Sequence, residues 1–176
     1  MALAAVRAGA LQLSDSRYRA ELMDWTHRPP WSGDGVPTES TVDIVPRRVP
    51  VRDFAPFGGH TTPAGQDTDL GASYAVIFTE DDTPLSWLRA GEALSATLLT
   101  ATTLGLATAT ISEVTEVPAA RDELRRMISP HKGHPQVAVR IGHPAPGEPP
   151  PKATRRLAEE VITYSPPVLG GSSGVA

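Results

Sequence analysis

Proline and glycine are concentrated between residues 28 and 71, and this limits where regular structure can form. They include Pro29, Pro30, Gly33, Gly35, Pro37, Pro46, Pro50, Pro56, Gly58, Gly59, Pro63 and Gly65. Proline removes a backbone donor and glycine is costly to order, so the stretch predicts a long irregular segment. Such a segment is rare in a compact domain unless it is a lid, an arm over a partner or a linker.

This segment divides the chain into four parts. We expect an N-terminal helical arm over residues 1–27 and a Pro/Gly-rich lid or arm over 28–71. A core half-domain follows over 72–165, and a disordered tail over 166–176. A length of 176 residues suits one domain with a hydrophobic core.

Composition excludes several kinds of chemistry. A net charge of −4 makes a general nucleic-acid-binding surface a poor expectation. The absence of cysteine excludes disulfides, thiolate zinc sites and cysteine nucleophiles. Reactivity must therefore come from other side chains or from a bound cofactor.

The chain also lacks an apolar run long enough for a membrane span, and Arg7 interrupts the Ala-rich start before a signal-peptide core develops. We therefore expect a cytoplasmic protein with no membrane partner. Arginine far outnumbers lysine, which is typical of GC-rich coding and suggests a bacterial source.

Two helices are expected before the irregular segment. Ser14 is positioned to cap the second, in which Tyr18, Leu22 and Trp25 fall on one face.

The strongest local signals follow residue 72. The apolar run from Ser73 to Thr79 predicts a strand buried on both faces at the centre of a sheet. Thr83 and Pro84 predict the start of a long helix that Gly105 closes. Its small and apolar side chains predict a helix buried nearly all round.

The remaining core mixes helix and strand without a βαβ rhythm. Pro118 opens a helix with apolar positions at helical spacing, and Gln136 to Gly142 alternates as a strand. A last helix is expected from Arg155 to Tyr164. This pattern predicts an α+β fold.

Other catalytic patterns are weak. His131 and His134 have a loosely metal-like spacing but no third ligand nearby, so we expect a surface turn and no metal site. Ser16, Ser86 and Ser112 lack a nucleophile-elbow setting, and the chain has no Gly-rich phosphate loop of Rossmann or Walker type.

Several segments together resemble the nitroreductase superfamily, and more closely the C-terminal half of its tandem Acg-like mycobacterial branch. The matching segments are Trp87–Leu94, Leu104–Leu106, Pro135–Gly142 and Lys152–Val161, with Glu21–Thr26 and Asp34–Pro37 upstream.

The resemblance implies an antiparallel sheet flanked by helices, with FMN at a dimer or pseudo-dimer interface. NAD(P)H would be the electron donor, and nitroaromatics or quinones the small-molecule acceptors. It also implies that Arg155, Arg156 and Lys152 bind the FMN phosphate, which a guanidinium's planar fork suits. The alternative is a solvated basic start to the last helix.

Two further groups are implied as cofactor-binding. The stretch from Leu106 to Ser112 corresponds to a loop beside the flavin, so Thr108 and Thr110 would face the ring; an ordinary helix-to-helix connection is the alternative. Arg47 and Arg48 echo the family's N-terminal phosphate-binding element, although their place in the Pro-rich stretch favours a role in the lid.

The departure of this N-terminal element from its usual form suggests that a complete site needs a second polypeptide half. We therefore expect either a homodimer or a missing N-terminal half as partner. Two functions remain open. One is an FMN-dependent NAD(P)H oxidoreductase, whose catalytic residues the sequence leaves unknown. The other is a non-catalytic flavin-binding or flavin-sequestering protein, or a half that binds no flavin.

Overall fold

The fold has a long helix on one side of a small sheet. The computed structural model describes residues 1–37, 40–58, 61, 63, 69, 71–128, 133–144 and 155–164. Within them the helices are α1 (Ala2–Ser14), α2 (Ser16–Thr26), α3 (Pro84–Thr103), α4 (Glu113–Glu116), α5 (Pro118–Met127) and α6 (Ala158–Val161). The strands are β1 (Ser73–Thr79), β2 (Ala107–Ile111) and β3 (His134–Gly142). A 3₁₀ turn spans Pro30–Ser32.

The three strands form an antiparallel sheet in the order β1-β3-β2. The predicted α+β class is therefore confirmed. The position predicted for β1 is wrong, because β3 pairs with both neighbours while β1 pairs only with β3 in the described part of the sheet. Ser73, Ala75 and Phe78 are accordingly exposed.

One face of the sheet packs on the core. Ala138 of β3 lies beside Val76 of β1 and Ile111 of β2. All three contact a cluster that includes Ala4, Ala5 and Ala8 of α1 and Leu124 of α5. The alanines let α1 pack closely against α4 and α5, and their place in the core cluster makes the first helix an integral part of the core.

Helix α3 packs against all three strands. The core cluster on the first face contains no α3 residue among the described positions, so α3 covers the opposite face. Thr83 caps its start by accepting from the Ser86 N–H at 3.3 Å, and Gly105 follows its end with φ of +68°. Both ends confirm the prediction.

The burial predicted for α3 is wrong. Only Ser86, Ala90 and Ala101 are buried along this helix. Leu85, Leu88 and Leu99 share the opposite side and are 56–65% exposed. The described chain covers one stripe of this helix and leaves an apolar stripe open.

Three shorter predictions are also corrected. Asp15 rather than Ser14 caps α2, because its carboxylate accepts from the Arg17 N–H at 2.8 Å. The stretch from Leu106 to Ser112 contains β2 instead of a loop or helix connection. The expected last helix is reduced to the single turn of α6. Helix α5 forms as predicted.

Asp82 links the start of α3 to α5 and β3 through hydrogen bonds. Its carboxylate accepts hydrogen bonds from Arg121 Nη1 at 2.8 Å, Trp87 Nε1 at 2.7 Å and Gln136 Nε2 at 3.2 Å. The Arg121 hydrogen bond, helped by those from Trp87 and Gln136, holds the pKa of Asp82 well below its usual range.

Candidate functional site

The first predicted arginine pair lies beside the start of β1. The Arg48 N–H donates to Asp69 Oδ2 at 2.6 Å, and Arg48 Nη2 donates to the Ala72 carbonyl at 2.5 Å. The same guanidinium lies 5.4 Å from the centre of the Tyr74 ring. Arg48 is therefore held in place by a backbone carbonyl and a ring face.

Asp69 interacts with several of the surrounding polar groups. This buried carboxylate accepts from the Tyr74 hydroxyl at 2.7 Å, and Arg140 Nε of β3 lies 2.9 Å from its Oδ1 without hydrogen-bond alignment. Burial acts to raise the pKa of Asp69, but the hydrogen bonds from Tyr74, Val49 and Arg48 and the charge of Arg140 lower it overall. Asp69 is thus an anion that positions two arginines.

Arg47 differs from its neighbour. Its Nε is buried and has no hydrogen-bond partner among the described residues. A buried donor without a partner is costly, and an incoming anion can relieve that cost. The guanidinium groups of Arg48 and Arg140 both lie at the Tyr74–Asp69 pair, where Asp69 supplies one carboxylate, and Arg47 is next to Arg48 in the chain. This donor set fits a phosphate group.

The second arginine pair lies against the 3₁₀ turn. The Arg156 Nε is 3.5 Å from Asp34 Oδ2, and Arg28 Nη1 donates to the same oxygen at 2.6 Å. The Arg28 hydrogen bond lowers the pKa of Asp34. Arg155 passes Gly33 so closely that a Cβ on the glycine would be 3.1 Å from the Arg155 carbonyl oxygen.

The two arginine pairs therefore have different carboxylate partners, Asp69 for Arg48 and Asp34 for Arg156. Arg156 retains 48% of its side-chain exposure and can reach an additional anion. Lys152, which the sequence places with them, lies outside the described residues, as do His131 and the tail at 166–176.

Thr108 and Thr110 lie on β2, opposite Ile141 and Val139 of β3. They point away from the core cluster, toward the side of the sheet that α3 covers, and both are exposed. Their hydroxyls are accessible to a ligand on that side.

Sequence reasoning missed Asp69, Tyr74 and Arg140. Arg140 had a usable signal, since it is the only charged residue in the strand predicted from Gln136 to Gly142 and is surrounded there by Val137, Val139 and Ile141. Asp69 had none, because it stands in an irregular segment without periodicity. Within the described residues, no helix is long and apolar enough to cross a membrane, and no cluster of His, Asp and Glu side chains could hold a metal.

Comparison with known proteins identifies relatives of this chain. No family model matches the chain. A Mycobacterium tuberculosis protein named "Putative NAD(P)H nitroreductase acg" is 39% identical over 165 residues, which is 92% of this chain and 49% of that protein. The chain belongs to the Acg-like branch of the nitroreductase superfamily.

Two further M. tuberculosis relatives match most of the chain, and one of them is also named for nitroreductase activity. "Putative NAD(P)H nitroreductase Rv3131" is 35% identical over 89% of this chain, and "Uncharacterized protein Rv3127" is 34% identical over 86% of it. The chain covers 46% and 44% of these proteins. This Acg-like chain thus spans about half the length of the curated relatives it matches.

Proposed function

We propose that this chain is one half of an FMN-dependent NAD(P)H oxidoreductase of nitroreductase type. The observation that carries the proposal is the match of 92% of the chain to a relative named for NAD(P)H nitroreductase activity. Bound FMN would supply hydride chemistry, from NAD(P)H to a nitroaromatic or quinone acceptor.

Several groups of described residues would together bind such a cofactor. Arg47 supplies a buried donor without a partner among the described residues, and Arg48 supplies a positioned guanidinium. Arg156 supplies a cation next to Asp34, and Arg155 precedes it in the chain, with its backbone against Gly33. Thr108 and Thr110 offer hydroxyl donors on the sheet face covered by α3. Lys152 is included in the proposed phosphate set on sequence grounds.

The partner is proposed to be a second copy of this chain or a half that resembles it. The support is the exposed stripe of Leu85, Leu88 and Leu99 on α3, on the sheet side where Thr108 and Thr110 are accessible. An apolar stripe of this kind is stabilised by burial against another surface.

A spectral titration tests the oxidoreductase proposal. The purified chain is expected to bind FMN with a shifted visible spectrum, and the flavin absorbance should be lost when NADPH or NADH is added anaerobically. A folded chain that leaves added FMN unchanged would contradict the proposal. Bound flavin that neither nicotinamide bleaches would instead indicate a flavin-sequestering protein.

The arginines are tested by a matched pair of double variants. Arg155→Ala with Arg156→Ala should weaken FMN binding, since each charge-assisted hydrogen bond contributes about 1.5–3 kcal/mol. Arg125→Ala with Arg126→Ala removes the same charge from the exposed end of α5 and serves as the control. Equal FMN affinity in the two double variants, measured by fluorescence quenching, would remove Arg155 and Arg156 from the proposed site.

A further inference from the structure

A cavity of about 400 Å³ lies between α2 and the irregular segment that follows it. The side chains of Tyr18, Trp25 and Phe54 form aromatic walls, and Leu22 contributes an apolar surface. The volume falls within the range of small-molecule sites in proteins. None of the proposed cofactor-binding residues is among the described residues that line it.

The charged groups of this aromatic cavity favour a positive ligand. Glu21 and Glu116 line it together with one guanidinium, that of Arg52. Arg52 Nη2 lies 2.8 Å from Glu116 Oε2 and 3.9 Å from Glu113 Oε2. The positive charge of Arg52 is therefore already compensated, and the lining carries one more carboxylate than it has guanidinium groups.

The ring faces already hold cations. The Arg28 guanidinium lies 4.1 Å from the centre of the Trp25 ring, and that of Arg52 lies 5.9 Å from the centre of the Tyr18 ring. Aromatic faces attract cations through the ring quadrupole. Because guanidinium groups already lie on these two rings, a ligand with an apolar body and a positive head would pack its body on Leu22 and Phe54, and its head would meet the excess of negative charge.

We propose that this cavity binds a small organic cation with an apolar body, such as an arylalkylammonium compound. The apolar body packs on Leu22 and Phe54. The ammonium head is attracted by the carboxylates of Glu21 and Glu116. A carboxylate-bearing analogue of the same shape is repelled by these two groups.

Calorimetric titration of the full chain at low salt tests the charge preference. Three compounds of nearly equal shape serve as probes: 3-phenylpropylammonium, 3-phenylpropan-1-ol and 3-phenylpropanoate. The cation should bind about tenfold more tightly than the alcohol, with the anion weakest. Added salt should reduce the difference. Equal affinity for the three probes, or no binding of the cation to the folded chain, would overturn the proposal.

Variants locate the binding. Glu21→Gln should weaken binding of the cation about threefold or more and leave binding of the alcohol unchanged, because only the charge of the side chain is lost. Phe54→Ala should weaken binding of both the cation and the alcohol. Both side chains are exposed enough for these changes to preserve the fold, which circular dichroism would verify. Glu92→Gln on exposed α3 removes the same charge elsewhere, and an equal loss in that control would overturn the assignment.

The site is also expected to be independent of flavin. Repeating the titration with saturating FMN should give the same affinity for the cation, since the cavity and the two arginine pairs have separate linings. Competition between FMN and the cation would place both in one site and contradict the proposal.

Discussion

At the residue scale, Asp82 shows how one carboxylate can fix the relation between elements. It collects donors from Trp87 of α3, Arg121 of α5 and Gln136 of β3. These residues are separated by up to 49 positions in sequence but meet on two oxygens. The network is a structural feature, because each donor is supplied by the chain itself.

Replacing Asp82 by Asn should lower the free energy of unfolding at neutral pH by roughly 1–2 kcal/mol, since charge-assisted hydrogen bonds are lost at a partly exposed site. The folded-state pKa of Asp82 lies below the unfolded value of about 4. Its contribution is therefore present above pH 4 and lost as the pH falls below it.

Urea denaturation at several pH values measures this effect. The difference between the parent chain and Asp82→Asn should narrow toward pH 2. Asp81→Asn, one residue earlier and also exposed, is the control and should change stability little. A constant difference across the pH range would show that the charge of Asp82 is not the source.

The sequence allowed only some of these residues to be found. Arg155 and Arg156 stand out because they form a basic pair in a matching segment, and Arg47 and Arg48 for a similar reason. Asp69 contacts Arg48 and Arg140 from 21 and 71 positions away, and no local pattern specifies such contacts. Long-range partners depend on the tertiary fold.

At the element scale, the ends of α3 were predictable because their signals are local. Thr83 caps, Pro84 starts and Gly105 ends the helix through backbone geometry within a few residues. The place of β1 in the sheet was not predictable in this way. Both β1 and β3 are apolar, and which of them has two neighbours is decided by pairing across the chain.

The contact between the 3₁₀ turn and the Arg155–Arg156 segment can be tested with glycine variants. Gly33→Ala introduces a Cβ 3.1 Å from the Arg155 carbonyl oxygen, at a φ of +71°. Gly58→Ala has a similar φ of +86° but open space around the new carbon. Both variants carry backbone strain of about 1 kcal/mol, and only the first also has to displace the neighbouring segment.

We expect Gly33→Ala to be less stable than Gly58→Ala by roughly 1 kcal/mol or more. Chemical denaturation gives the difference, and amide exchange at Arg155 and Arg156 should rise in the first variant alone. Equal stability of the two variants would mean that this segment does not pack against Gly33 in solution.

At the scale of the whole molecule, the main feature is the one-sided burial of α3. Ala90 and Ala101 face the sheet, whereas Leu85, Leu88 and Leu99 face outward. The sequence predicted an all-round buried helix because its composition is apolar throughout. The apolar composition of α3 indicates that its surface is buried, but it does not indicate whether the same chain or a partner buries it.

The proposed pairing gives a direct prediction. Leu88→Glu combined with Leu99→Glu should shift the assembly to single chains, because burial of each leucine contributes about 1.5–3 kcal/mol. Val6→Glu places a charge on an exposed apolar position of α1 and is the control. Light scattering over a concentration series measures the shift. The same mass for the double variant and the parent would contradict an interface through α3.

The shared carboxylate of Asp34 also affects how Arg156 can bind a ligand. Asp34 already lies beside Arg156. A phosphate that binds Arg156 therefore has to replace Asp34 as the anionic partner of this arginine. Arg28 remains paired with Asp34 and with Asp24 at 2.9 Å, so the carboxylate keeps a cation when Arg156 leaves. The affinity gained through Arg156 is therefore the difference between two ion pairs, and the Arg28 pairing reduces the cost of separating Arg156 from Asp34.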